Sequence, residues 1–220
     1  MSDPVSIIVY SDVICPWCYV GKRRLETALG EPGMPQVRLT WRPFELNPDM
    51  PAEGMARKDY RAAKFGEGRS IELDRKMAET GREVGINFAF DSMQRTPSTR
   101  LAHRLIWEAE RQGRQDEVVQ RLLRAYFEEA RDIGSPDVLK AVAAEGGLEA
   151  QGVNDALTGP ESLDAVVRLE EQGYRVGIQG VPHFILLQKY QVSGAQPPEF
   201  WREALPRLAA EAVALRATAT

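Results

Sequence analysis

Apolar and polar residues follow two different rhythms along this chain. Residues 5–10, Val-Ser-Ile-Ile-Val-Tyr, are nearly all apolar and rich in β-branched side chains, the composition of a strand buried on both faces of a sheet. Residues 16–30 then read as a helix, with Val20, Arg24 and Leu25 at helical spacing and a stop at Gly30. Val37, Leu39 and Trp41 alternate with Arg38, Thr40 and Arg42, which predicts a half-buried strand. Strand, helix, strand favours a right-handed crossover and a parallel pair.

From Asn47 to about Gly159 the rhythm becomes helical. Residues 69–84, 98–112, 116–131 and 136–145 each carry apolar residues three or four apart, most clearly Val118, Val119, Leu122, Leu123, Tyr126 and Phe127. Ser135-Pro136 is a good helix start, with Ser as cap and Pro at the first helical position. A further helix over 160–173 leads into a glycine-rich approach to Pro182. Residues 184–187 and 190–193 read as short strands with Gln188-Lys189 at the turn, and 198–216 as a closing helix. The pattern predicts an α/β domain split in sequence, residues 1–46 and 160–220, around an inserted helical domain, residues 47–159.

Composition narrows the setting. Hydrophobic content of 43% and charged content of 27% suit a globular protein, and a net charge of -4 argues against a nucleic-acid partner. No run approaches the roughly 20 apolar residues of a membrane helix, so no membrane partner is expected. Met-Ser-Asp-Pro at the N-terminus lacks the basic region of a signal peptide, which predicts a cytoplasmic protein.

That setting bears on Cys15 and Cys18, the only two cysteines. In the cytosol a lone pair is more often catalytic or metal-binding than structural, and a disulfide across Pro16-Trp17 closes too small a loop to stabilise a fold much. Cys15 stands just before a predicted helix, where unpaired backbone N–H groups and the positive end of the macrodipole favour a thiolate. Pro16 fits the first helical turn because its missing N–H costs nothing there. Cys18, one turn on, is expected to be more shielded. This makes Cys15 the attacking thiol and Cys18 the resolving thiol, placed to break a mixed disulfide without large motion. The competing reading, half of a zinc site, lacks a second cysteine pair and the usual histidine spacing, since His103 and His183 stand far apart. No metal is therefore expected.

Gly180-Val181-Pro182 supplies a second part. A cis bond before Pro182, facing the dithiol, would offer the Val181 backbone to an incoming peptide as a strand-like partner; an ordinary proline at a strand start is the alternative. Trp17 is expected to be exposed, either as a packing anchor or as an apolar platform for substrate. Strand alternation should turn His183 away from the dithiol. Asp12 and His103 are candidate tuning groups, although Asp12 could serve only to cap the loop and His103 only to pack at a lobe interface.

The segment from Ser11 to Gly21, Ser-Asp-Val-Ile-Cys-Pro-Trp-Cys-Tyr-Val-Gly, resembles the active-site segment of DsbA-family thiol-disulfide oxidoreductases, in particular the cytoplasmic FrnE-like branch. Leu101-Ala-His-Arg-Leu105, Gly180-Val-Pro-His-Phe184 and Val192-Ser-Gly-Ala-Gln-Pro197 are similar to that branch's helical-lobe motif, cis-proline loop and closing segment. The resemblance implies a thioredoxin-like fold of DsbA type with a large all-helical insertion, a dithiol at Cys15 and Cys18, and a cis Pro182. It implies no required cofactor beyond the Cys15–Cys18 disulfide. The partners it implies are protein thiol or disulfide substrates and a cytosolic reductant or oxidant, glutathione among them. Some FrnE-like members carry a further cysteine pair; this sequence has none.

Related 2-hydroxychromene-2-carboxylate isomerases and kappa-class glutathione transferases usually place Ser where Cys15 stands, and commonly read Ser-Asp where this chain has Ala195-Gln196. The main expectation is thus an oxidase or isomerase of protein disulfides. A glutathione-dependent isomerase or transferase of a small aromatic substrate is the first alternative. A non-enzymatic holdase using an apolar cleft of the helical lobe is the second.

Overall fold

The computed structural model describes residues 4–217. Met1 to Asp3, on which the leader reading partly rests, and residues 218–220 lie outside the described residues. In chain order the elements are β1 (Val5–Ser11), α1 (Pro16–Leu29), β2 (Val37–Pro43), β3 (Met55–Ala56), α2 (Arg57–Phe65), α3 (Glu67–Glu83), β4 (Arg95–Thr96), α4 (Arg100–Arg111), α5 (Gln115–Phe127), α6 (Pro136–Glu145), α7 (Ala150–Thr158), α8 (Pro160–Arg175), β5 (His183–Leu186), β6 (Tyr190–Ser193) and α9 (Pro198–Ala217).

The β-branched run of β1 becomes the central strand. Among the described residues the main sheet runs β2-β1-β5-β6, with β1 parallel to β2 and antiparallel to β5. Val5, Ile7 and Val9 are at most 1% exposed. Each such side chain contributes about 1.5–3 kcal/mol when fully buried. The parallel β1–β2 pair fits the strand-helix-strand expectation. Helices α1 and α9 pack together beside the sheet. One contiguous apolar core joins sheet residues such as Ile7, Val9 and Phe184 to Leu105, Leu122, Leu123 and Phe127 of the intervening helices. The fold is thioredoxin-like, of DsbA type, with a mixed sheet and a large helical part between β2 and β5.

Several boundaries differ from the sequence reading. Helix α5 ends at Phe127 rather than near Arg131. The chain turns at Ala130 (φ 52°), and the Arg131 N–H reaches back to the Ala125 carbonyl. The β5–β6 turn centres on Leu187-Gln188, one residue earlier than expected, with both residues at positive φ (51° and 57°). Leu187 still donates to the Ser6 carbonyl at 3.0 Å and packs against the core, so the chain reverses without losing that strand contact. Helices α2 and α7 and the short β3–β4 pair were not anticipated as separate elements.

Candidate active site

The dithiol sits where β1 hands over to α1. Pro43 pairs with Ser11 at the end of the parallel ladder, and the Cys15 N–H donates to the Asp12 carbonyl at 3.0 Å, closing a tight turn. Cys15 is the N-cap of α1 with extended backbone (φ -89°, ψ 112°), and Pro16 occupies the first helical position. Both cysteines are unlinked and buried; Cys15 is 5% exposed and Cys18 1%. Burial pushes the Cys18 thiol well above its ordinary range, and the neighbouring Cys15 sulfur adds to that rise. Cys18 therefore holds its proton at neutral pH. Trp17, between them, is 45% exposed and forms the outer lip of the site.

The second part of the site comes from 166 residues downstream. The Cys15 Sγ donates to the Val181 carbonyl at 3.7 Å, and the Val181–Pro182 peptide bond is cis. The Gly194 N–H donates to the Pro182 carbonyl at 2.8 Å, and the Arg24 guanidinium donates to the Ala195 carbonyl at 2.7 Å. Gly21 explains how closely α1 approaches this loop: a Cβ added there would lie 3.1 Å from Pro182 Cγ and 3.4 Å from Ala195. A glycine inside a helix is often such a close-approach signal, but the sequence alone does not say what it approaches. His183 points into β6, where its ring nitrogens pair with Ser193 Oγ at 2.9 Å and Gln191 Oε1 at 3.0 Å.

Asp12 and His103 meet behind the dithiol. Asp12 is fully buried; Oδ2 accepts from the Leu46 N–H at 2.8 Å and Oδ1 from the Ile14 N–H at 3.4 Å. His103 of α4 is 3% exposed, and its Nε2 stands 3.6 Å from Asp12 Oδ1, an ion-pair distance rather than a formed hydrogen bond. Burial works against the charged imidazole, but Asp12, with Glu45 and Glu170 behind it, outweighs burial and raises His103 above its ordinary value. Glu45 follows β2 and is itself buried. It pairs with Arg100 of α4, whose Nη2 also lies 3.7 Å from Glu170 of α8. This chain of charges ties the sheet edge to two helices. Glu45 and Glu170 carry no pattern in the sequence that marks them, because their roles depend on partners far along the chain.

A cleft opens beside the dithiol. Ile14 and Pro16 line its inner end together with Phe90 and Tyr126, and it continues into a cavity of about 640 Å³ between α2 and α3. Arg57 and Arg61, both paired with Asp74, line both parts, so the cleft is not purely apolar. Among the described residues no cluster of three or more His, Cys, Asp or Glu side chains is placed to hold a metal ion. Nor is any helix there long and apolar enough to cross a membrane.

Residues 6–206 match the DSBA-like thioredoxin domain. The chain is 31% identical over 183 residues to the protein YwbO of Bacillus subtilis (strain 168), covering 83% of this chain and 86% of that one. Its structure is similar to that of a probable DsbA oxidoreductase from Streptomyces coelicolor (TM-score 0.84, 30% identity, 94% of this chain and 91% of that one). It also shares its fold with the cytosolic disulfide reductase DsbM of Pseudomonas aeruginosa (TM-score 0.69, 20% identity, 92% and 97%), which has been solved with GSH as well. A family match over most of its length, carried on an oxidoreductase-type fold, shows that this chain belongs to the DSBA-like thioredoxin family.

Proposed function

We propose that the protein is a thiol-disulfide oxidoreductase that oxidises or isomerises protein disulfides, with Cys15 as nucleophile and Cys18 as resolving thiol. The observation that carries this reading is the pairing of the Cys15 thiol, at the N-terminus of α1, with the Val181 carbonyl of the facing loop. An extended substrate segment laid against Val181 and Pro182 would bring its own sulfur to Cys15, with backbone pairing supplying affinity. Trp17 offers an apolar surface at the entrance, and the cleft past Pro16 accommodates the rest of the substrate.

In the oxidising direction a substrate thiolate attacks Cys15 Sγ, the Cys15–Cys18 bond breaks, and Cys18 leaves. A second substrate thiol then displaces Cys15 and forms the substrate disulfide. In the resolving direction Cys18 attacks Cys15 and releases the substrate thiol. The depth of Cys18 supports these roles, since only the outer sulfur is placed to meet a substrate. Glutathione fits as an electron partner rather than as a required cofactor, a reading favoured by the basic groups lining the cleft and by the DsbM structure holding GSH. A cytosolic setting goes with it.

The test is refolding of a reduced, disulfide-containing protein and reduction of insulin. Cys15→Ser should abolish both activities. Cys18→Ser should accumulate a mixed disulfide at Cys15, detectable by mass spectrometry. Undiminished activity in Cys15→Ser overturns the reading, whereas aggregation suppression that survives loss of both cysteines would favour a holdase.

A further inference from the structure

Behind the dithiol lies a small cavity that no step above uses. It has room for water centres amounting to about 10 Å³, close to what a single water requires. Its walls include Ser11, His103, Trp41, Val13, Ile106 and Val119, all at most 5% exposed. Among the described residues two buried polar atoms of this lining lack a partner in hydrogen-bond geometry: Ser11 Oγ, and His103 Nε2, which has only the longer 3.6 Å approach of Asp12 Oδ1. Buried polar groups are rarely left so, because an unsatisfied donor or acceptor costs about 1–3 kcal/mol. The Ser11 hydroxyl also reaches the Cys18 thiol, and its interaction with that sulfur works against the rise that burial causes. The cavity thus joins the His103 imidazole to a hydroxyl that reaches the one sulfur which, in the dithiol reading, gains and loses a proton out of reach of bulk water.

We propose that His103 is a proton relay for the resolving thiol: one water held between Ser11 Oγ and His103 Nε2 passes a proton between the imidazole and Cys18. Asp12, 3.6 Å from Nε2, holds the imidazolium in place. The proposal rests on the dithiol reading above. When a substrate thiolate attacks Cys15 Sγ, the new S–S bond forms and the Cys15–Cys18 bond breaks, leaving its electron pair on Cys18. Cys18 takes a proton from the Ser11 hydroxyl, Ser11 from the water, and the water from His103, which becomes neutral and is later reprotonated by solvent. In the reverse direction neutral His103 receives the Cys18 proton by the same path as Cys18 attacks Cys15 and the substrate leaves as a thiolate.

The charged groups around the imidazole set the pH sense. Asp12 faces it from the β1–α1 loop, Glu45 from the end of β2 and Glu170 from α8, with Arg100 on its own helix and Arg42 lining the cavity. The three carboxylates favour the imidazolium, and the arginines oppose it. A raised His103 is charged below its folded value and neutral above it. Cys18 protonation during disulfide reduction is therefore fastest on the acidic side and slows as pH rises through that value.

The experiment follows reduction of the oxidised full-length protein by dithiothreitol in a stopped-flow instrument, with rates divided by the reductant's thiolate fraction. Wild type should lose rate through the His103 titration as pH rises. His103→Gln should remove that inflection and slow reduction at low pH by roughly 10²-fold, the lower range for a positioned acid. Ser11→Ala, a small change at a strand end, should slow it similarly while keeping the native circular dichroism spectrum, and it carries the test if the histidine variant does not fold. Added imidazole buffer should restore part of the lost rate in His103→Gln. Wild-type pH profiles in both variants would overturn the relay and leave the oxidoreductase reading standing. A wild-type dithiol that does not cycle at all would overturn both.

Discussion

Single residues explain why the two halves of the candidate site meet at all. Gly21 lets α1 press against Pro182, and the effect of Gly21→Ala is decided by two opposing magnitudes. Alanine is favoured over glycine in a helix by about 1 kcal/mol. Crowding a well-packed contact costs about 1–3 kcal/mol, and a Cβ 3.1 Å from Pro182 Cγ is such a contact. The net loss of stability should then be about 0–2 kcal/mol by urea denaturation, while thiol-exchange activity falls further because the Val181–Pro182 loop is pushed from Cys15. Unchanged activity with the loop in place would refute this. Cys15, Cys18, Val181 and Pro182 stand out in the sequence as site candidates because spacing and neighbours mark them. Asp12 and His103 were legible only as candidates. Ser11 opens the segment that resembles the family's active site, but nothing local shows that its hydroxyl reaches Cys18.

Elements were legible in proportion to how much apolar surface each one buries. The run of β1 and the stripe of α5 announce themselves. Helix α2 buries no side chain fully and has only Tyr60 and Phe65 as large apolar residues, and α7 is nine residues long with Gly152 within it. Helix α5 overran in the sequence reading because Ala130 continues the apolar pattern, whereas the backbone there has already turned. Between elements, the ion pair of Glu45 with Arg100 joins the end of β2 to α4. The Glu45 side chain is 2% exposed and that of Arg100 29%. Removing one partner of a buried pair costs about 3–5 kcal/mol. Water reaching Arg100 screens the pair, so Arg100→Met should cost about 3 kcal/mol, and adding Glu45→Gln should recover part of it. A double variant less stable than Arg100→Met would show that Glu45 is held by other groups.

For the whole molecule, the continuous core across sheet and helices implies that the two parts lose structure together. Thermal unfolding monitored by far-ultraviolet circular dichroism and by tryptophan fluorescence should give superimposable single transitions. Two separated transitions would mean that the helical part has a stability of its own. The sequence reading placed the fold class correctly, since strand-helix-strand at one end and strand-strand-helix at the other bound a helical stretch. What it could not supply was the order β2-β1-β5-β6, which pairs the first strand with one formed more than 170 residues later. That order has a consequence on the ribosome. Synthesis proceeds at about 5–20 residues per second, so for roughly ten to thirty seconds the nascent chain carries β1 with one edge bare and Cys15 without its covering loop. During that interval the edge invites pairing with other chains, and a newborn thiol meets whatever oxidants and disulfides surround it before the molecule can choose its partners.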